Sequence, residues 1–194
     1  MYPGSANAGT RVSAHTILPA LDLRRVAPER RVMAAVVLAA VLALIAVARF
    51  GTGVRLWSIV PLLVALATAA VMDACGRVIP DRVSLPALAY ALLLGIPEGR
   101  PSGALAGAII AGGVVFLAAL VTRGGFGGGD IKLMAALGAV LGWRCGLVAL
   151  ASSQVLGATI AIALLLSRNA QRRTALPIGC AMALIGAVFL LARP

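Results

Sequence analysis

The chain has 194 residues, 61% of them hydrophobic and only 12% charged, whereas soluble domains carry about 25% charged residues. That balance belongs to a membrane protein and leaves no room for a sizeable soluble domain beside the spans. The formal net charge of +11 does not argue for nucleic-acid binding, because the basic residues lie in the short gaps between apolar runs and not on one domain.

In chain order, residues 1–31 read as a polar cytoplasmic tail and residues 32–194 as the membrane-embedded unit. The tail holds the only histidine, His15, and Met33 is a second candidate start. A spanning helix needs roughly 20 apolar residues, because the hydrocarbon core is about 30 Å thick and a helix rises about 1.5 Å per residue. Seven apolar segments follow the tail: Val32–Ala48, Leu56–Met72, Val83–Ile96, Gly103–Val121, Ile131–Gly142, Gly146–Leu166 and Ala175–Ala192. Val83–Ile96 and Ile131–Gly142 are short, each a thin span or a re-entrant segment. The expected fold is therefore an all-α, multi-pass membrane protein with six or seven transmembrane helices. With the N-terminus inside, twelve of the 17 basic residues fall in inner gaps, as the positive-inside rule requires. Trp57 and Trp143 then lie near the outer interface. Cys75, Cys145 and Cys180 are far apart and form no CxxC pair, so neither a zinc site nor a disulfide framework is indicated. Each reads as a small apolar filler.

The six acidic residues carry the functional signal. Asp22 and Glu29 lie in the tail and Glu98 in an outer gap. Asp73 closes the second apolar segment, Asp130 opens the fifth, and Asp81 lies between them, all on the inner side. An ionisable residue at the edge of a span marks a functional site by default. Two carboxyl groups that approach closely share a proton. One can then act as general base on a water while the other protonates or polarises a scissile carbonyl. This chemistry calls for no metal and no cofactor, and the single histidine excludes a Ser-His-Asp triad. A plainer reading is available for each residue alone, since Asp130 precedes a helix and could be its N-cap.

Gly127, Gly128 and Gly129 precede Asp130 in a longer glycine-rich stretch that starts at Gly124. No Gly-Lys-Ser/Thr ending follows, which argues against a phosphate loop. The run is either a flexible connector or a place where an extended substrate backbone lies against the enzyme. The second reading expects positive-φ conformations and little packing there.

These residues resemble a family. Gly127-Gly128-Gly129-Asp130 is similar to the GxGD motif of intramembrane aspartyl proteases. Its continuation Ile131-Lys132-Leu133-Met134-Ala135-Ala136-Leu137-Gly138 resembles the type IV prepilin peptidase branch, as does Asp73 followed by Ile79-Pro80-Asp81. Leu176-Pro177-Ile178-Gly179 is similar to a Pro-x-Gly-Pro segment of that family, with Cys180 where a second proline is usual. The resemblance implies a multi-pass enzyme of the inner membrane whose catalytic pair is Asp73 and Asp130. It implies a prepilin-like precursor as partner, cleaved after a glycine at the cytoplasmic face to release a short basic leader. The absence of a CxxC pair makes the chain similar to the short, peptidase-only forms, and methyl transfer is not expected of it. Asp81 either binds the leader or sits in a solvated turn beside Arg82. Lys132 either tunes Asp130 or lies among lipid headgroups. Gly103-x-x-x-Gly107 and Gly138-x-x-x-Gly142 read as helix-packing pairs. The rival class is a small transporter or channel using Asp73 and Asp130 as proton or cation sites.

Overall fold

The computed structural model describes residues 27–76, 78–123, 126–166 and 178–192, and every regular element among them is an α-helix. In order these are α1 (Pro28–Phe50), α2 (Val54–Gly76), α3 (Asp81–Leu94), α4 (Pro101–Val121), α5 (Gly128–Leu141), α6 (Trp143–Leu166) and α7 (Ile178–Ala192). Each of the seven apolar segments corresponds to one of them. The tail up to residue 26, and Gly124 and Gly125 of the glycine run, lie outside the described residues.

Helix ends fall where local chemistry puts them. Pro28 and Pro101 stand in the first turns of α1 and α4, where a missing N–H costs nothing. Gly51 ends α1 at φ 67° and returns its N–H to Val47 O at 2.8 Å. Three stretches, Glu29–Phe50, Leu56–Gly76 and Pro101–Val121, are long and apolar enough to cross a membrane. α3 and α5 have 14 residues each. At about 1.5 Å per residue each is about 21 Å long, short of a hydrocarbon core of about 30 Å.

α5 is the central column. Leu133 to Val140 are all buried, and the helix packs on α3, α4, α6 and α7. A helix that is apolar all round belongs in such a position. Its closest partner is α4, and small residues make that approach possible. Gly107 and Gly138 meet backbone to backbone, so a Cβ on either would strike the other's carbonyl oxygen. A Cβ on Gly112 would stand 2.8 Å from Ala135 Cβ. Of the four expected packing glycines, Gly107 and Gly138 form the contact. Gly142 instead takes φ 80° at the end of α5.

The far end of α5 is held by Arg100, whose Nη2 donates to Val140 O at 2.6 Å and whose Nε donates to Glu98 at 2.6 Å. These bonds satisfy a carbonyl that the helix terminus leaves without a partner. At the same end Tyr90 Oη, on α3, donates to Ser58 O, near the start of α2, at 3.2 Å. The exposed Trp57 and Trp143 lie at this end too, near the starts of α2 and α6. Large apolar side chains such as Val36, Leu44, Ile109, Leu117 and Val121 point outward from α1 and α4, while alanine dominates the interior. This is the architecture of a multi-pass, all-α membrane protein, in which close helix packing falls to small residues.

Candidate active site

The opposite end of the bundle gathers the end of α2 and the starts of α3, α5 and α7. Asp73 lies in the last turn of α2 and is buried. Its own helix presents carbonyl groups there, an unfavourable setting for a negative charge. The compensating group comes from another helix: the backbone N–H of Cys180, in the first turn of α7, donates to Asp73 Oδ2 at 2.8 Å. A helix N-terminus supplies free N–H groups and a favourable dipole for a carboxylate.

Asp130 is the third residue of α5, where a carboxylate is favoured by the helix dipole. It is not the N-cap. Gly127 holds that place, with φ −77° and ψ 155°, and its N–H donates to Asp130 Oδ2 at 3.0 Å. The carboxylate thus reaches back to the cap, one half of a capping box. Asp130 Oδ1 is buried and has no hydrogen-bond partner among the described residues.

Asp73 and Asp130 converge on Gly179 of α7. A Cβ built there would stand 2.7 Å from Asp130 Oδ1 and 2.9 Å from Asp73 Cγ. The two carboxyl groups therefore crowd the same side of the Gly179 α-carbon, where no side chain fits. Ile79, in the link between α2 and α3, closes the base. Its Cδ1 would be 3.0 Å from a Cβ on Gly179, and its Cβ and carbonyl oxygen would each be 2.6 Å from a Cβ on Gly129. Ile79 is buried between these two glycines.

The glycines before Asp130 therefore differ from the expected open loop. Gly128 and Gly129 are already helical, and none of Gly127, Gly128 and Gly129 has a positive φ. Gly129 is buried, and what requires a glycine there is the approach of Ile79. Gly128 alone of the three has open space where a side chain would be. The flanking charges pair with each other. Lys132 Nζ bonds Asp81 Oδ1 at 2.5 Å, tying the first turn of α5 to the first turn of α3. Asp81 is exposed, and its partner is Lys132, not its neighbour Arg82.

Reading the cysteines as apolar fillers holds for the buried Cys75 but not for Cys145, which is exposed. It also misses Cys180, whose contribution is a backbone N–H. No pattern along the chain marks a main-chain donor. Gly179 was signalled only by its place in the segment Leu176-Pro177-Ile178-Gly179.

The family model described as the type IV leader peptidase family matches residues 60–162. A prepilin leader peptidase/N-methyltransferase of Pseudomonas putida is 34% identical over 154 residues, covering 76% of this chain and 54% of the relative. The protein of that name from Bacillus subtilis (strain 168) is 37% identical over 140 residues, covering 70% of this chain and 55% of the relative. Its counterpart in Aeromonas hydrophila is 35% identical over 127 residues, 62% of this chain and 44% of the relative. The chain thus spans about half the length of these curated relatives. No solved structure matches it.

Proposed function

The chain belongs to the type IV leader peptidase family, and we propose that it is a membrane aspartyl endopeptidase with Asp73 and Asp130 as its catalytic pair. Its substrates in this reading are prepilin-like precursors, of type IV pilin, tight-adherence pilin or archaellin-like kind. They are anchored in the same inner membrane and lose a short basic leader at the cytoplasmic face. The single observation that carries the proposal is the convergence of both carboxyl groups on Gly179 at one end of the bundle.

The chemistry follows from two carboxyl groups holding one proton between them. The ionised member takes a proton from water as the water oxygen bonds to the scissile carbonyl carbon. The protonated member gives its proton to the carbonyl oxygen. Collapse of the tetrahedral intermediate returns a proton to the leaving nitrogen, breaks the C–N bond and restores the pair to one shared proton. The N–H groups of Cys180 and Gly127 hold one oxygen of each carboxyl in place, and Asp130 Oδ1 has no hydrogen-bond partner among the described residues. The N-terminus lies inside in this topology, which puts the ends of α2, α3, α5 and α7 that form the site on the cytoplasmic side.

The test is co-expression with a candidate prepilin, reading leader loss on a gel. Asp73→Asn and Asp130→Asn are each expected to abolish cleavage while membrane insertion and detergent melting stay close to wild type. Near-normal cleavage by either variant removes that residue from the pair.

A further inference from the structure

α3 is bracketed by charge. Asp81 and Arg82 stand at its start and Glu98 and Arg100 just past its end, so Arg82 and Glu98 are at most about 24 Å apart along the helix. On α4 the charge-free stretch runs from Arg100 to Arg123, about 34 Å. A stripe of exposed side chains, Leu85, Ala89 and Leu93, follows the side of α3 opposite the buried Ser84, Ala87 and Ala91.

Contacts with α5 put the two helices on one scale. Ile79, two residues before α3 begins, meets Gly129, so the start of α3 is level with Asp130. α4 runs antiparallel to α5, with Gly107 against Gly138 and Gly112 against Ile131 and Ala135. On that register Asp130 is level with Val115. α4 continues to Val121, about 9 Å further, with Leu117, Leu120 and Val121 exposed. The charged edge of the molecule is thus level with Asp130 on α3 and lies beyond Val121 on α4. Leu85 and Ile109, both exposed, share one level of the bundle but differ in their distance from that edge.

Resting for its purpose on Asp73 and Asp130 as the catalytic pair, we propose that the exposed face of α3 is a contact surface for a locally thinned bilayer. The hydrocarbon narrows there from about 30 Å to about 24 Å, and headgroups and water come down to the level of Asp130. Charged side chains held in hydrocarbon are costly, and local thinning is the cheaper remedy. Tilt does not replace it, because two charged ends about 24 Å apart cannot both reach surfaces about 30 Å apart at any angle. A basic leader, which stays among the headgroups, then meets the carboxyl pair from the α3 side without entering hydrocarbon.

The test is a measurement of depth. A fluorescent amino acid is encoded in turn at Leu85, Leu93 and Ile109 of the full chain, and melting is checked against wild type. Each protein is reconstituted in dioleoyl phosphatidylcholine vesicles. Quenching by a headgroup nitroxide is compared with quenching by a nitroxide in the middle of the acyl chain. Labels at Leu85 and Leu93 should lie about 5 Å and about 8 Å below the nearest headgroups and favour the headgroup quencher. The label at Ile109 should lie about 14 Å deep and favour the acyl-chain quencher. A label at Leu85 as deep as that at Ile109 overturns the proposal, because the bilayer is then flat across both helices. So does a shallow Leu85 with a deep Leu93, which is tilt alone. Protection of Leu85 and Leu93 from both quenchers also overturns it, since a second copy of the chain or another protein then covers α3. The depths are read without cleavage. Normal cleavage by Asp73→Asn ends the catalytic-pair reading and leaves the lipid surface standing, whereas flat depths with an inactive Asp73→Asn end this inference alone.

Discussion

Gly129 offers the sharpest test of how the site is built. A methyl added there would sit 2.6 Å from both Ile79 Cβ and Ile79 O and 3.3 Å from Ile79 C. Carbon atoms in contact prefer about 3.5–4.0 Å, so α5 and the α2–α3 link must separate by about 1 Å. No rotamer change relieves this, since two of the three atoms are backbone and the third is a Cβ. Overpacking of this kind costs about 1–3 kcal/mol, and a melting point falls by about 2–4 °C per kcal/mol for a chain of this length. Ile79 also touches the Gly179 position, so the shift reaches the carboxyl pair, where a misplacement of about 1 Å can cost a hundredfold in rate. Gly129→Ala is therefore expected to melt several degrees lower in detergent and to lose about two orders of magnitude in prepilin cleavage. Gly128→Ala is the control. Its methyl meets nothing within 4 Å, and alanine favours the helix over glycine by up to about 1 kcal/mol. It should melt at or above wild type and cleave normally. If Gly128→Ala proved the more damaging variant, with melting unchanged, the glycines would serve substrate approach and the packing argument would be refuted.

The exposed ion pair between Asp81 and Lys132 should matter little: a double-mutant cycle of Asp81→Asn and Lys132→Gln is expected to give a coupling of about 0.2–1 kcal/mol, and each single variant should retain cleavage within a few-fold. A larger loss of cleavage for Asp81→Asn alone would place that carboxylate in leader binding. Gly107→Ala drives a methyl onto the Gly138 carbonyl and should sharply reduce folded protein in membranes, while Gly113→Ala, with nothing within 4 Å, should be silent; equal yields would contradict the α4–α5 contact. Reporter fusions after Gly53, Gly99 and Trp143 should read periplasmic, and those after Arg82, Gly125 and Arg173 cytoplasmic. Swapped signals at Arg82 or Gly125 would put the carboxyl pair on the wrong side for a cytoplasmic leader.

Much of the architecture was legible along the chain because the bilayer imposes a one-dimensional rule. Runs of apolar residues separated by arginine-bearing gaps mark helices, and each corresponds to a helix from α1 to α7. Alternation of spans also brings the end of the second segment and the start of the fifth to one end of the bundle, so a meeting of Asp73 and Asp130 could be expected before any coordinates. Short-range chemistry was less secure. Asp130 looks like a cap in sequence, yet a difference of three residues in where α5 begins makes Gly127 the cap and Asp130 the group that reaches back to it. Contacts between helix ends could not be read at all. Lys132 pairs with Asp81, 51 residues away in sequence, because α3 and α5 start side by side. Gly129 is a packing surface only because Ile79 is folded against it. The N–H of Cys180 reaches Asp73 across 107 residues, and a main-chain donor leaves no trace in residue type. Hydropathy and the placement of charge are properties of segments and survive in the sequence. Which backbone approaches which carboxyl group depends on how the helices pack, and the tertiary structure alone decides that.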